Sequence, residues 1–525
     1  MYIKYITCIG IMRAKCKAVF FAALLLACTA SYGQNMNDIF AMQNKTIPYG
    51  TPRFMGMSGA FGAVGGDVSA ISINPAGGAM AVKTEISATM GVEWNNNKVD
   101  FYNTSTNTNS KAKAAFYQAG VNYVILFDPA YYTTTSVNLA VNYSRRNNFN
   151  NDFSFSGRNN TITDWLDGSA IGSSVIESFF RNAIDGVNGT VVDLASDLKV
   201  LDRTDDGIYP GAEYLNIDQA ARILSRGSSD VTTFSIGVGI TERIYVGASF
   251  DLISINLDDN NTYLDEYGFT SNYQSFANGG VSNLYYDRYT SQSGWGSAFT
   301  LGIIGRVTND FRLGFSWKTA ARINIDEYYS YAMGARFFDG SEASGTENPT
   351  FAYPNSYTFK TASEWTFSGS YVFGQFGLLS VDYMLKDYSK MRFKSPGFER
   401  ENEIIKDQMK ISQTLRVGAE ARLYPLTLRA GFSYISSPYK DVTVTRVSQS
   451  VPGTQGYVTL PQGVGDTIGF SAGLGYSVGN FLTIDAAYVN SSATTYHYLY
   501  EPALVDAAKN KISSNYISLG VTFRI

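Results

Sequence analysis

The sequence predicts an all-β fold: a transmembrane antiparallel β-barrel of about fourteen strands. It also predicts an N-terminal plug, or hatch, in the lumen and a long, partly helical extracellular loop. Three observations carry this. Apolar and polar residues alternate with period two in run after run, as where Leu415, Val417, Ala419, Ala421 and Leu423 face one way and Thr414, Arg416, Gly418, Glu420 and Arg422 the other. The connections between runs alternate short and long, the rhythm of periplasmic turns and outside loops. Residues 53–80 hold seven glycines, and their apolar residues fit neither a helix stripe nor one strand, so this stretch needs a surrounding structure to fold against.

Composition agrees. Charged residues are 16% of the chain, yet no apolar run reaches the roughly 20 residues of a spanning helix. The 37 Tyr against 5 Trp, with 49 Gly, suit a sheet whose two faces meet different solvents. A net charge of −4 leaves no electrostatic footprint for nucleic acid.

Residues 1–33 read as a signal peptide. Arg13, Lys15 and Lys17 precede an apolar run over 18–27 and the small and polar residues 29–33. Cleavage after Ala30 or Gly33 and lipidation at Cys28 are both open. All three cysteines (Cys8, Cys16, Cys28) lie in this segment, so its removal leaves no thiol for disulfides or metal.

Residues 34–83 are expected to form the plug, with Phe54, Met57, Phe61 and Val64 lining a ligand pocket. The barrel follows over 84–525. Its runs lie near 84–101, 113–127, 133–147, 231–241, 243–258, 294–307, 310–328, 356–374, 376–393, 408–423, 426–446, 465–478, 481–497 and 511–525. Short turns are expected near 128–132, 242, 308–309, 375, 424–425 and 479–480. Long loops are expected over 102–112, 148–230, 259–293, 329–355, 394–407, 447–464 and 498–510. The lumen side mixes charge signs and small residues (Arg416, Glu420, Arg422, Arg429, Asp485, Gly473, Gly475), as a crowded polar interior would. A soluble β-protein gives similar alternation and is the competing architecture.

The longest loop, 148–230, carries apolar residues at helical spacing, among them Trp165, Phe179 and Phe180, with a second short helix expected over 217–224. These residues either pack on the barrel rim or face outward as a capture surface for a hydrophobic ligand.

Asp67-Val68-Ser69-Ala70 followed by Ile73-Asn74-Pro75-Ala76-Gly77 resembles the hatch motif of FadL/TodX-type outer-membrane transporters. Leu428-Arg429-Ala430-Gly431-Phe432-Ser433-Tyr434 and Gly473-Leu474-Gly475-Tyr476 add to the likeness. The resemblance implies a fourteen-stranded barrel in the outer membrane of a Gram-negative bacterium, with Asn74, Pro75, Ala76 and Asp67 in the hatch. It implies passive uptake of hydrophobic molecules such as long-chain fatty acids by a monomer set in lipid bilayer and lipopolysaccharide. Signal and loop style are similar to those of Bacteroidetes members. The third strand, which kinks in the family, shows no Gly or Pro here, so the resemblance gives no support to lateral exit.

An enzyme is not expected. His497 is the single histidine, and Gly56, Gly59, Gly62 and Gly65 lack dinucleotide-site spacing. No cofactor or metal is implied; Asp202, Asp205, Asp206, Asp258 and Asp259 are more simply solvated loop residues than calcium ligands. Two other roles fit the same chain: a FadL-like scaffold or shuttle in a protein secretion system, and a surface receptor or adhesin working through residues 148–230.

Overall fold

The computed structural model describes residues 49–127, 134–159, 175–176, 179, 190–204, 207–210, 216–240, 242–268, 279–347, 355–447, 455–460, 463–499 and 506–525. The signal segment, Trp165, Phe180 and the turn expected near 128–132 lie outside them.

Fourteen antiparallel strands form a closed barrel. They are β1 Glu85–Phe101, β2 Lys113–Leu126, β3 Ser136–Asn148, β4 Ile217–Gly239, β5 Ile244–Tyr267 and β6 Val281–Arg306. β7 runs Phe311–Lys318 and resumes as Arg322–Phe337; β8 runs Asn355–Lys360 and resumes as Glu364–Val372. The rest are β9 Gly377–Asp387, β10 Ile411–Leu423, β11 Leu426–Ile435, β12 Val464–Val478, β13 Leu482–His497 and β14 Ala508–Arg524. Closure is made by β1 against β14, from Glu85 opposite Arg524 to Asp100 opposite Lys509. Among the described residues each of the fourteen strands pairs with a neighbour on both sides, which is what a sheet in a non-aqueous medium requires.

The outer face carries an apolar belt. Met90, Leu139, Phe299, Leu301, Leu474 and Leu519 are exposed there, while their chain neighbours are turned inward. Aromatic residues mark the short-turn rim: Phe373, Phe376, Tyr424 and Phe481 are all exposed.

Beyond the belt the alternation changes phase. On β5, Ile244 and Leu252 point outward, but Ile253, Ile255 and Leu257 are buried inside, with Ser254, Asn256 and Asp258 outside. The strand has left the apolar medium, so its hydrophobic face now belongs to the interior. Strand length shows the same thing. β6 has 26 residues, more than twice the roughly 9–11 that cross a bilayer.

Three expectations are corrected here. Residues 217–224 are strand, not helix: they open β4 and pair with both Asn151–Asn159 and the end of β5. Their apolar spacing is compatible with either period, and two flanking partners decide it. The loops over 259–293 and 329–355 are shorter than expected, because β5, β6 and β7 continue well past the belt. The loop over 394–407 contains a helix, Glu399–Gln408. Pro52–Gly56, Thr190–Asp197 and Glu399–Gln408 are called α1, α2 and α3 below.

Candidate functional site in the barrel lumen

The segment over residues 49–80 lies against inward-facing side chains of the wall and is almost wholly buried. It is built from three short turns, each started by a small polar cap. Thr51 Oγ1 accepts from the Phe54 amide and opens α1. Asp67 accepts from the Ser69 amide at 2.9 Å and opens the 3-10 turn Val68–Ser72. Asn74 accepts from the Ala76 amide at 3.1 Å and opens Pro75–Met80, where Pro75 stands at the first position, which has no need of an N–H. Thr51 Oγ1 also donates to the Asp67 carboxylate at 2.8 Å, tying the first turn to the second.

Asn74 is the most connected of these residues. Its Nδ2 donates to the Gly62 carbonyl at 2.8 Å and to the wall carbonyls of Ile303 at 3.2 Å and Phe315 at 3.4 Å. Pro75 and Ala76 lie on the wall at Gly247, where an added Cβ would overlap the Pro75 carbonyl and the Ala76 amide. Gly302 is similarly filled by Asn74 and the Pro75 ring.

Further bonds fix the segment all round. Arg312 donates to the Val64 carbonyl at 3.0 Å, Ser316 to Ile73 at 2.7 Å, Ser370 to Ala63 at 3.0 Å, and Ser136 to Ala79 at 2.8 Å. The Gly62 amide donates to Asp382 at 3.0 Å. Of the mixed charges expected in the lumen, Glu420, Arg422, Arg429 and Asp485 come together. Glu420 receives Arg53, Arg422 and Arg429 at 2.8–2.9 Å, and Arg429 reaches Asp485 at 2.6 Å.

Phe54, Met57, Phe61 and Val64 are brought together as well, in one apolar cluster with Ala70 and Leu378. The Phe54 and Phe61 rings lie 5.3 Å apart, and the Arg53 guanidinium sits over Phe61. Phe54 borders a lumenal cavity of about 100 Å³, which it shares with Ser72, Ile73 and Arg416.

Above this cavity, toward the long-loop end, the lumen turns apolar. Val231 of β4, Ile253, Ile255 and Leu257 of β5, Ile323 and Ile325 of β7, and Tyr357 and Phe359 of β8 form one cluster with Met391, Phe393 and Ile405. Tyr439, beyond β11 and bridged to Met409, belongs to the same cluster. Its closing part is a short inward excursion after β9. Tyr388–Lys390 makes a 3-10 turn, Arg392–Phe393 pairs with the end of the first part of β8, and α3 carries Ile405 into the cluster. The Phe393 and Phe398 rings stack at 4.6 Å. Phe398, Ile405 and Met409 stand at helical spacing, the signal that would have marked α3.

A second apolar cluster caps the long-loop end. It joins Phe101, Phe153, Phe155, Val175, Ile176, Phe179, α2 and the far ends of β4 to β7. Phe179 is buried there, edge-on to Tyr286 with centroids 5.2 Å apart, so it packs onto the barrel extension. On the outer face, Leu139, Val141, Phe234, Ile236, Phe250 and Phe299 line an apolar furrow of about 480 Å³, on strands whose inner face meets Pro75–Met80.

The sequence matches no family model and no curated protein. Solved structures do match. A Pseudomonas aeruginosa FadL homologue has a TM-score of 0.52 at 14% identity, over 91% of this chain and 99% of that one. The P. putida toluene transporter TodX has a TM-score of 0.51 at 12% identity, over the same shares of the two chains. At these identities the likeness is one of fold, and the fold is that of FadL- and TodX-type barrels.

Proposed function

We propose that this chain is a channel in the outer membrane of a Gram-negative bacterium, of Bacteroidetes type, for the passive uptake of hydrophobic molecules such as long-chain fatty acids. It works without catalysis. The observation that carries this is the interior: an apolar cluster joining β4 to β8, the α3 excursion and Tyr439 lies toward the long-loop end of a buried segment that is hydrogen-bonded to the wall. A hydrophilic pore would need a wet lumen, and this one offers buried apolar surface, worth about 25 cal/mol per Å² to a hydrophobic solute. The solute enters by displacing the α3 excursion, and residues 49–80 act as the hatch that must shift for release. The fold's likeness to a transporter named for toluene supports the same solute class.

The test is uptake of labelled long-chain fatty acid, and separately of labelled toluene, by cells lacking other routes. Cells with the full chain are compared with cells carrying Phe61→Arg, a deletion of residues 53–80, or an empty vector. Uptake by the full chain above the vector, altered in both variants, is expected. Equal uptake in all four overturns the proposal.

A further inference from the structure

We propose that the outer face of the barrel, where β7 and β8 leave the apolar belt, seats the phosphorylated sugar head of an outer-leaflet glycolipid of the lipopolysaccharide type. Three cations stand there in one cross-strand row. Arg322 of β7 lies opposite Lys360 of β8, and Lys360 lies opposite Arg392. All three share the outer face, because their chain neighbours Ile323, Phe359 and Phe393 are buried in the lumenal cluster. Like charges directly opposite one another destabilise a sheet. Among the described residues none of the three forms an ion pair. The acids of this region are turned away or engaged. Glu364 borders the lumenal cavity, Asp326 accepts from Ser356 at 2.6 Å, and Asp387 caps the turn Tyr388–Lys390. Arg392 donates to the Ser389 and Met391 carbonyls, whereas Arg322 and Lys360 are left for an outside acceptor.

Height decides what meets this row. Trp317 of β7 and Trp365 of β8 lie just on its membrane side, with ring centroids 5.9 Å apart, and Trp295 of β6 is 65% exposed opposite Asn324. Outward tryptophans mark the upper edge of the belt, as Phe373 and Phe376 mark the lower one. At a strand tilt of about 40°, Trp365 stands roughly 20 Å above Phe373, and Lys360 roughly 33 Å. The apolar band of such barrels is about 25 Å tall, and a head-group layer adds about 5–8 Å on each side. The row therefore lies at the depth of lipid phosphates. An arginine beside a lysine suits phosphate oxygens, and basic clusters at a membrane surface bind lipid head groups.

What stands beyond the row selects a sugar. Tyr328 lies six positions past Arg322 on β7, and Tyr289 six positions from Trp295 on β6. With Tyr285 they are 40–43% exposed on the same outer face. Tyr289 and Tyr328 rise about 15 Å past the tryptophans and the row, too far to belong to a girdle at the hydrocarbon edge. Asn260 and Ser330 flank Tyr289, which donates to Asp258 at 3.1 Å. Ring faces between amide, hydroxyl and carboxylate groups match a sugar, whose C–H faces lie on rings and whose hydroxyls pair with polar groups. A glycerophospholipid head ends below these tyrosines. The inference rests on the outer-membrane placement proposed above, and on no step of transport.

The experiment is native mass spectrometry of the full chain from non-ionic detergent micelles doped with one probe at a time. The probes are deep-rough lipopolysaccharide, the same lipid with its phosphates removed, and phosphatidylglycerol. The wild type is compared with Arg322→Gln plus Lys360→Gln, with Tyr289→Ser plus Tyr328→Ser, and with Arg336→Gln, an exposed arginine already paired with Glu342. Folding of each variant is checked by its heat-modifiable electrophoretic mobility. The wild type should retain one lipopolysaccharide, and half-occupancy should need at least ten times more of either other probe. The cation variant should raise the lipopolysaccharide requirement at least tenfold, the tyrosine variant at least threefold, and Arg336→Gln not at all. The proposal is overturned if the wild type retains no lipopolysaccharide or holds either other probe as tightly. It is also overturned if the folded cation variant binds as the wild type does. Retention and uptake are read separately, so a chain that carries solute but holds no lipopolysaccharide refutes this inference alone.

Discussion

Arg53 and Glu420, 367 positions apart, form a two-point ion pair: Nε to Oε2 at 2.8 Å and Nη2 to Oε1 at 3.2 Å. This pair joins the inner segment to β10. Glu420 also holds Arg422 and Arg429, so the two ends of the pair are not equivalent. Glu420→Gln leaves Arg53 and Arg429 buried beside a neutral amide and should cost about 3–5 kcal/mol. Arg53→Met leaves Glu420 with two partners and should cost less, about 2 kcal/mol. Urea unfolding in detergent measures both. Equal losses would show that Arg53 alone carries the network.

The contact between Gly247 and Pro75–Ala76 makes a steric prediction. Gly247→Val places a side chain where the Pro75 carbonyl sits, and backbone cannot move aside as a flexible side chain can. The inner segment should be displaced, and small hydrophilic dyes should cross proteoliposomes carrying this variant. Gly305→Ala, on β6 with open space around it, should leave dye exclusion unchanged. A tight Gly247→Val barrel would mean that the segment re-seats without this contact.

Asn74 serves two structures at once, as the cap of Pro75–Met80 and as donor to three carbonyls. Asn74→Ala loses a cap, worth about 1 kcal/mol, and takes a donor from the buried Gly62 carbonyl at about 1–3 kcal/mol more. Amides of residues 75–81 should exchange with solvent faster by at least tenfold, while those of β13 and β14 keep their protection. Uniform loss of protection would make Asn74 a residue of the whole fold.

Much of this fold is legible in the sequence because the two media impose opposite patterns on one strand. Leu415 to Leu423 and Leu426 to Tyr434 alternate without interruption, and the turn at 424–425 separates them sharply. The same rule hid the upper barrel. At Leu252-Ile253 the apolar face changes sides, and a reading that keeps one phase ends the strand at 258, short of Tyr267. The caps at Asp67 and Asn74 can be read locally, since an Asx residue before a turn needs only its own chain. Their wall partners cannot, because Ile303 and Phe315 lie more than 200 positions away and are set by barrel register. Arg416 shows the same limit. Its inward side follows from alternation, but its neighbours across the lumen, Arg145 and Arg146 at the one-residue slip of β3 among them, are set by barrel register.

The cap at the long-loop end, beyond the apolar belt, carries a buried carboxyl, Asp265, and a half-buried imidazole, His497, that pull in opposite directions with pH. Burial pushes the Asp265 carboxyl up to about 6, against the hydrogen bonds it accepts from the Val175 amide, Gln219 and Tyr267. Its unfolded value is about 3.9. The folded cap therefore holds an extra proton between these values, and this contribution is full below about pH 4 and lost as pH rises through 6. Burial against Phe153, with ring centroids 5.0 Å apart, lowers His497 to about 4. The unfolded imidazole titrates near 6.5, so its contribution is present above that value and lost as pH falls toward 4. Each shift is of order 3 kcal/mol and they largely offset, so the wild-type cap should resist protease almost equally from pH 4 to 6.5. Asp265→Asn leaves the histidine slope, and its cap should open faster at pH 4.5 than at pH 7. His497→Gln leaves the carboxyl slope and should do the reverse. Cleavage rates within residues 150–230 across this range measure both, and two variants with slopes of the same sign would remove burial as the cause.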